Sequence, residues 1–261
     1  MPKFCANISK LFNEVDFLNR FERAYIAGFR GVECVFPYEW DKELIAEELR
    51  KYGLEHVLFN LPGGNWAAGE RGIACLPGRE EEFQDGVGLA IDYAKVLKCS
   101  RINCVVGFTP QEVPEEKVRQ TLVNNLRFAA SALEEEEIRL LVEPVNNQDL
   151  PGFYLTRTNQ ALSLINEVNH SNLWLESDIY HMQIMDGNLT KTINDNLNRI
   201  AHVQIADNPG RHEPGTGEIN YTNLFSFIDR AGYDGWIGCE YDPIGITEDG
   251  LTWFQPYLLK Q

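Results

Sequence analysis

The stretch LWLESD at residues 173–178 places an apolar run directly before an acidic side chain. Three similar stretches occur in the second half of the chain: LLVE at 140–143, HVQ at 202–204 and WIGCE at 236–240. Their final oxygen-bearing residues are 35, 26 and 36 residues apart, about the length of one strand, loop and helix unit. The pattern therefore predicts parallel strands that end at one edge of a sheet, with these side chains together: Glu143, Asp178, Gln204 and Glu240.

Apolar runs typical of strands recur along the whole chain, with helical stretches between them. Such alternation is typical of a parallel sheet, and eight units favour a closed (β/α)8 TIM barrel over an open sheet. The length of 261 residues suits one such barrel, and no Pro-, Gly- and Ser-rich stretch divides the chain. We expect one α/β domain over residues 1–261, with strands at 4–8, 31–36, 56–60, 101–106, 139–142, 173–177, 201–205 and 236–240.

Two helices and one repeated turn support this interpretation. Helical spacing of apolar residues predicts a helix behind an Asp16 cap and another over residues 83–97. The segments 27–32 and 231–236 are similar, and both predict a helix that ends on glycine and turns into a strand. The loops after the third, fifth and seventh strands are long, at 61–79, 144–155 and 206–220. In a TIM barrel such loops form the active face.

Composition excludes several classes of function. The net charge is −16, from 39 acidic and 23 basic residues, and such a chain repels phosphate backbones and anionic membranes. The six cysteines contain no CxxC pair, which argues against a zinc ribbon or redox motif. No signal-type stretch or run of 18 apolar residues occurs. We expect a cytoplasmic protein that binds neither nucleic acid nor membrane, and the sequence leaves open whether it forms a homo-oligomer.

The four strand-end residues predict a metal site. Three carboxylates and an amide that face one another repel unless a hard divalent cation lies among them, and an all-oxygen set favours Mg²⁺ or Mn²⁺ over zinc. Taken singly, each acidic residue is as readily a helix cap or a salt-bridge partner. The shared register of all four is what favours a metal-dependent active site.

Further residues are candidates for substrate binding. The glycine-rich loop 61–79 contains Trp66 and two arginines and is typical of a closing lid, although a solvated loop is the alternative. His181 follows Asp178 by three residues and lies just past a strand end. His202 is predicted on the inward face, one layer below Gln204. The candidates to contact substrate are His56, Asn60, Trp66, Arg71, Arg79, His181 and Arg211.

Several motifs spread over nearly the whole chain resemble the hydroxypyruvate isomerase family of xylose isomerase-like barrels. They are Asn7-Ile8-Ser9, Phe36-Pro37-Tyr38, Ala67-Ala68-Gly69-Glu70-Arg71-Gly72, Pro77-Gly78-Arg79-Glu80, Glu143-Pro144, Asp178-Ile179-Tyr180-His181, Met185-Asp186-Gly187-Asn188-Leu189-Thr190, His202-Val203-Gln204 and Gly238-Cys239-Glu240-Tyr241. The resemblance implies a divalent metal ion held by the four strand-end residues, with Glu143 and Glu240 also transferring protons.

The implied reaction interconverts hydroxypyruvate and tartronate semialdehyde (2-hydroxy-3-oxopropanoate) through an enediolate. It requires a base beside the carbonyl and stabilisation of a developing oxyanion, which carboxylates and a metal ion can supply. The substrate, a small 2-oxo acid, carries a carboxylate that needs a cationic partner in this acidic protein. The candidates for that partner are Arg71, Arg79 and Arg211.

Other functions remain open at this stage. A longer 2-oxo acid such as 2-oxo-tetronate fits the same motifs. A ketose 3-epimerase is a second alternative, but the related epimerases carry His where this chain has Gln204 and an Arg one residue closer than Arg211. A nuclease resembling endonuclease IV would need more histidines than five and a less acidic chain. A non-catalytic sugar-acid or metal-binding protein would not need the two candidate bases.

Overall fold

The computed structural model describes residues 2–258, and nine parallel strands of these residues form one sheet. The order in the sheet is β3-β2-β1-β9-β8-β7-β6-β5-β4. The strands are β1 (Lys3–Asn7), β2 (Gly31–Glu33), β3 (Glu55–His56), β4 (Phe59–Asn60), β5 (Arg101–Cys104), β6 (Arg139–Val142), β7 (Leu173–Asp178), β8 (Ile200–Ile205) and β9 (Trp236–Cys239).

The predicted third strand, 56–60, is interrupted and forms the short strands β3 and β4. β3 pairs with β2, whereas β4 pairs with β5 at the other end of the sheet order. Hydrogen bonds to β2 and its extension continue through the interruption, because the N–H of Val57 donates to Val32 O at 2.8 Å and that of Asn60 to Val35 O at 3.1 Å. One chain segment thus joins both edges of the sheet and closes the barrel. The predicted TIM barrel is confirmed, with β3 and β4 sharing one of its eight positions.

The helices pack outside the barrel between successive strands. The helix predicted over residues 83–97 lies within α3 (Glu80–Leu97). The helix expected behind Asp16 begins as a short 3₁₀ turn, Phe17–Asn19, which continues into α1 (Arg20–Ile26). The α-helices are α1 (Arg20–Ile26), α2 (Lys42–Tyr52), α3 (Glu80–Leu97), α4 (Glu115–Glu134), α5 (Thr158–Val168), α6 (Ile179–Met185), α7 (Leu189–Asn196), α8 (Tyr221–Arg230) and α9 (Gln255–Leu258). Between residues 2 and 258, no helix combines the length and the apolar character needed to cross a membrane.

The repeated turn found in the sequence is the same turn in the structure. Gly28 after α1 and Gly232 after α8 have φ values of 102° and 85°, a left-handed conformation that favours glycine. Each turn is followed by a strand, β2 or β9. The two turns therefore orient equivalent strands in the same way.

The hydrophobic core lies mainly between the barrel and the surrounding helices, where the outward faces of the strands are fully buried. A second, smaller apolar cluster lies on the inward side of the strands. Above it, successive inward positions become polar, and the long loops 61–79 and 206–220 follow the carboxyl ends of β4 and β8. The apolar residues thus pack beneath a polar chamber, which is the space at the carboxyl end of the barrel that the strand-end side chains surround. The inner cluster comprises Cys5, Val57, Leu58, Leu141 and Ala201.

Candidate active site

The four strand-end side chains lie at the predicted edge of the barrel. Glu143 directly follows β6, Asp178 ends β7, and Glu240 directly follows β9. Gln204 on β8 is in register with Asp178 on one side and with Gly238 on the other. Glu143, Asp178 and Gln204 are buried, with Asp178 only 1% exposed, and the Glu240 side chain is 12% exposed. Burial of three carboxylates near one another requires a compensating charge or proton.

Asp178 is both a strand end and the cap of the following helix. Its Oδ1 accepts hydrogen bonds from the backbone N–H groups of Tyr180 at 2.7 Å and His181 at 3.3 Å, which begin α6. Its Oδ2 is buried and accepts no hydrogen bond from any described residue. The capping bonds therefore fix the carboxylate and leave one oxygen directed into the site.

Gln204 also leaves one oxygen without a partner. Its Nε2 donates to Oε1 of the buried Glu33 at 2.8 Å, whereas its own Oε1 is buried and has no hydrogen-bond partner within residues 2–258. Oε2 of Glu33 lies 2.7 Å from Nε2 of His202, which is on the inward face below Gln204 as the strand alternation predicts. Burial opposes ionisation of Glu33, but His202 and the hydrogen bonds to the carboxylate lower its pKa overall.

His181 lies between two of the carboxylates. Its Nε2 is 3.7 Å from Oε1 of Glu143 and 3.7 Å from Oδ2 of Asp178. Its Nδ1 lies 2.7 Å from Nδ2 of Asn146, whose Oδ1 accepts from the backbone N–H of Asp149 at 2.8 Å. Because the Asn146 amide thus donates to Nδ1, the proton of the neutral imidazole is on Nε2. Burial lowers the pKa of His181 to about 4, so it presents a neutral N–H to the site.

Arg211 brings a positive charge to the same site. Its Nη2 lies 3.1 Å from Oε2 of Glu240 and 3.8 Å from Oδ2 of Asp178, and its guanidinium lies over the Tyr180 ring. Arg211 has a φ of 58°, a left-handed conformation that costs a non-glycine residue roughly 1–3 kcal/mol. Its carbonyl accepts from the N–H of Asp242 at 2.8 Å, which holds this backbone in place. The loop after β8 therefore orients the arginine toward the carboxylates.

The electrostatics of the site favour proton uptake by its glutamates. Burial, followed by repulsion from Glu240 and Asp178, raises the pKa of Glu143 well above its ordinary value. Burial raises the pKa of Glu240 to about 7, against the opposing charge of Arg211. These two side chains are consequently stronger bases than an exposed glutamate. Such values are typical of groups that exchange protons near neutral pH.

The loop 61–79 contains three of the predicted substrate contacts. The guanidinium of Arg71 lies 4.1 Å from the centroid of the Trp66 ring, and the Trp66 side chain also contacts Phe36. Arg79 pairs with Glu70 and with Glu82, so two carboxylates already surround its charge. Within residues 2–258, no hydrogen bond or ion pair joins these loop side chains to the strand-end carboxylates. Of the three candidate arginines, Arg211 is the one placed against them.

Asn60 and His56 occupy different levels of the barrel wall. Oδ1 of Asn60 accepts from Nδ2 of Asn103 at 3.0 Å, and the same Nδ2 lies 3.4 Å from Oε2 of Glu143. Asn60 is thereby linked to the site through one side chain. His56 is buried lower in the wall, with its Nε2 3.6 Å from Sγ of Cys34, and burial lowers its pKa to about 4.

Several buried polar residues of this chamber were not singled out from the sequence. Glu33 and Glu176 lie within apolar runs, and Asn103 and Asn146 are a mid-strand and a loop residue. Glu176 has neither carboxylate oxygen hydrogen-bonded within the described chain, and burial raises its pKa well above the ordinary value. The available signal was spacing, because Glu176 precedes Asp178 by two residues and so shares its inward face.

The donor set suits a hard divalent cation. Ligand atoms of Glu143, Asp178 and His181 lie within 4.8 Å of one another. Asp178 and Gln204, which are in register on neighbouring strands, each have a buried oxygen without a hydrogen-bond partner among the described residues, and Glu240 adds a third carboxylate. Oxygen ligands are those that Mg²⁺ and Mn²⁺ prefer. His181 is protonated on the nitrogen that faces the carboxylates, so it fits a hydrogen-bond donor better than a metal ligand.

Comparison with known proteins identifies relatives over the full length of the chain. The sequence profile of the xylose isomerase-like TIM barrel family matches residues 21–257. The hydroxypyruvate isomerase of Escherichia coli K12 is 57% identical over 98% of this chain and 100% of that protein. A 2-oxo-tetronate isomerase of Pectobacterium atrosepticum is 45% identical, with 100% of each chain covered. A solved structure from Brucella melitensis named AP endonuclease, family 2 has a TM-score of 0.96 at 48% identity, covering 98% of this chain and 99% of that chain.

The closed parallel barrel and the polar site at its carboxyl edge define a TIM barrel of the xylose isomerase-like class. The resemblance found in the sequence motifs is confirmed by the profile and by the full-length similarity. Within this class, the chain belongs to the hydroxypyruvate isomerase family.

Proposed function

We propose that this protein is a metal-dependent isomerase that interconverts hydroxypyruvate and tartronate semialdehyde. The observation that carries the proposal is the convergence of three buried carboxylates with two unpartnered oxygens, on Asp178 and Gln204, beside the cation of Arg211. The 57% identity to a hydroxypyruvate isomerase supports this reaction.

The residues that would hold the divalent metal ion are Glu143, Asp178, Gln204 and Glu240. When bound, Mg²⁺ or Mn²⁺ supplies Lewis-acid stabilisation of negative charge on the substrate oxygens, worth several kcal/mol. The three carboxylates carry more negative charge than one divalent ion neutralises. Arg211 offsets part of the remainder and is near enough to pair with Glu240 at 3.1 Å.

Proton transfer is assigned to Glu143 and Glu240. One carboxylate removes a proton from C3 of hydroxypyruvate, and the released electron pair forms a C2–C3 double bond while the C2 carbonyl oxygen becomes an oxyanion. A proton then returns to C2, while the C3 hydroxyl proton is transferred to the C2 oxyanion, so that C2 carries a hydroxyl and the C3 oxygen becomes the aldehyde carbonyl. Substrate and product have the same atoms, so the protein only relocates protons. In the metal-free protein the pKa of both glutamates is raised above the ordinary value, and a carboxylate held beside the substrate is a competent base.

His181 and Arg211 orient the substrate in this proposal. The Nε2–H of His181 is directed between Glu143 and Asp178, where it can donate to a substrate oxygen that gains charge. Arg211, whose side chain is partly exposed, donates to the substrate carboxylate, because a charged carboxylate in this acidic chamber needs a cation. Trp66 and Arg71 lie in a loop that can cover the bound substrate.

A second candidate is the isomerisation of 2-oxo-tetronate, favoured by the 45% identity to such an enzyme over the whole chain. The chemistry is the same, and only the substrate length differs. A substrate panel that includes both acids distinguishes the two reactions.

The test is to incubate the Mn²⁺-loaded protein in D₂O with hydroxypyruvate, 2-oxo-tetronate and the uncharged dihydroxyacetone, and to follow products and deuterium incorporation by NMR. We expect the highest kcat/KM on hydroxypyruvate, with solvent deuterium at C2 of the product. Higher kcat/KM on 2-oxo-tetronate would reassign the substrate. Turnover of none of the 2-oxo acids would refute the proposal.

A further inference from the structure

Glu33 is a fully buried carboxylate at the carboxyl end of β2, in register with Asn7 of β1. Its two oxygens have separate sets of partners. Oε1 accepts from Nδ2 of Asn7 at 3.2 Å and from Nε2 of Gln204 at 2.8 Å. Oε2 contacts Nε2 of His202 at 2.7 Å and accepts from Sγ of Cys5 at 3.3 Å. Glu33 thus occupies the centre of a network that joins β1, β2 and β8.

The barrel leaves space for this carboxylate at one position of β9. Gly238 is in register with both Cys5 and Gln204, and a Cβ atom at this position would collide with both oxygens of Glu33. The absence of a side chain is therefore what allows the carboxylate to reach Gln204. The close fit also limits the positions that the carboxylate can take.

The chemistry of Glu33 determines which end of the Gln204 amide faces it. Oε1 of Glu33 accepts hydrogen bonds from the amides of Asn7 and Gln204. Only the NH₂ end of an amide can donate, so the NH₂ group of Gln204 is directed at Glu33 and its oxygen is directed away. The oxygen so directed, Oε1 of Gln204, is buried and has no hydrogen-bond partner elsewhere in residues 2–258. A reversed amide would place its NH₂ group in the site, where it would repel a cation.

We propose that Glu33 is a positioning residue that holds the Gln204 amide with its oxygen toward the metal site. The inference rests on the metal site of the proposed function. Glu33 acts through Gln204 and does not touch the metal ion or the substrate. Partners that orient ligands in this way typically change metal affinity by about 10–100-fold when they are removed.

The first test measures Mn²⁺ affinity, without substrate, by calorimetry and by the EPR signal of free Mn²⁺. Glu33→Met retains similar volume but removes the acceptor, and we expect its Mn²⁺ affinity to be about 10–100-fold lower than that of the wild type. Glu33→Gln should retain most of the affinity. Its amide oxygen can face Gln204 while its NH₂ group faces His202, whose Nδ1 has no described partner, so that the imidazole tautomer can adjust.

A double-mutant cycle separates positioning from a merely structural role. In a Gln204→Met background the amide is absent, so adding Glu33→Met should cause no further loss of Mn²⁺ affinity. Cys5→Ala, which removes a contact of Oε2 and none of Gln204, should leave the Mn²⁺ affinity unchanged.

Gly238→Ala retains the Glu33 carboxylate but displaces it, and we expect a loss of Mn²⁺ affinity similar to that of Glu33→Met. If thermal unfolding shows that Glu33→Met does not fold, Gly238→Ala tests the same positioning role in its place.

The outcomes distinguish this inference from the proposed function. If the wild type binds Mn²⁺ and Gln204→Met weakens binding, but Glu33→Met and Gly238→Ala bind as the wild type does, the positioning role is refuted and the metal site stands. A loss from Glu33→Met that is equally large in the Gln204→Met background also refutes positioning. A wild type that does not bind Mn²⁺ refutes both the metal site and the role of Glu33.

Discussion

Arg211 places its Nη2 3.1 Å from Oε2 of Glu240, so a cation lies directly against a proposed base. The pair lies at the rim of the site, where the Arg211 side chain is 21% exposed. The Arg211 side chain therefore remains partly accessible to an incoming anion, although its Nη2 already contacts Glu240 and its guanidinium lies over Tyr180. In the proposed function, this cation is what would attract a 2-oxo acid to a chain with a net charge of −16.

Replacement of Arg211 by methionine should raise KM or lower kcat/KM for hydroxypyruvate by about 10–100-fold, because a hydrogen bond to a charged group contributes roughly 1.5–3 kcal/mol. The effect on the uncharged dihydroxyacetone should be much smaller. Steady-state kinetics on both substrates provide the measurement. Arg79→Met is the matched control, since Glu70 and Glu82 already pair with that arginine. A larger loss of kcat/KM in Arg79→Met or Arg71→Met than in Arg211→Met would instead place the substrate carboxylate at the loop 61–79.

Removal of the divalent cation should abolish turnover, and added Mn²⁺ or Mg²⁺ should restore it. The metal should also stabilise the fold, since a ligand at 100 times its Kd adds about 2.7 kcal/mol to the free energy of unfolding. Activity and thermal unfolding, each measured before and after chelation, provide the check. Full activity in protein shown by elemental analysis to be free of metal would contradict the assignment of the four ligands.

Replacement of Glu143 or Glu240 by glutamine should lower kcat by about 10²–10⁴-fold, because the basic oxygen is lost while the shape is kept. The metal content of each variant must be measured in the same samples, because loss of metal would produce the same defect. Circular dichroism should show an unchanged fold. Near-native kcat in both variants would contradict a mechanism based on two glutamates.

The stability of the metal-free protein should reveal the raised pKa of Glu240. In the folded state this pKa is about 7, against an ordinary value of 4.5, so between these pH values the folded protein holds a proton that the unfolded chain has released. The contribution of Glu240 to stability is therefore lost as the pH rises from about 4.5 through about 7. We expect Glu240→Gln to gain stability relative to the wild type across this window, as measured by urea unfolding. A difference that is constant with pH would show that the pKa is not raised.

The four strand-end residues could be predicted because their position follows from local patterns alone. Each ends an apolar run, and parallel strands bring such ends to one edge of the sheet. Glu143 and Asp178 are therefore brought together by the strands, independently of how the helices pack. Glu33 could not be predicted, because its partner His202 is 169 residues away and no local pattern connects them. The interruption of the predicted 56–60 strand likewise could not be predicted from the sequence, since it depends on how the two edges of the sheet meet.

The choice among the arginines also depended on tertiary structure. Arg71, Arg79 and Arg211 all lie in loops on the active face, and the sequence assigns them the same charge. What separates them is where their acidic partners lie. Arg79 pairs with Glu70 and Glu82 in its own loop and helix. Arg211 instead pairs with the strand-end carboxylates of Glu240 and Asp178. Such pairings depend on loop conformation, which residue patterns do not determine.

The final prediction concerns the protonation of His181. Because Nδ2 of Asn146 donates to its Nδ1 and burial lowers its pKa to about 4, His181 should be neutral, with its proton on Nε2, across pH 5–8. Nitrogen-15 NMR of the imidazole should show this tautomer, and Asn146→Leu should disturb it. Replacement of His181 by leucine should lower kcat/KM by about 10–100-fold, since a donor to a charged substrate oxygen is lost. The pKa values of the pH–rate profile should not move in this variant, because a group that stays neutral contributes no ionisation in that range. A limb of the profile that disappears in His181→Leu would instead identify His181 as a titrating acid or base.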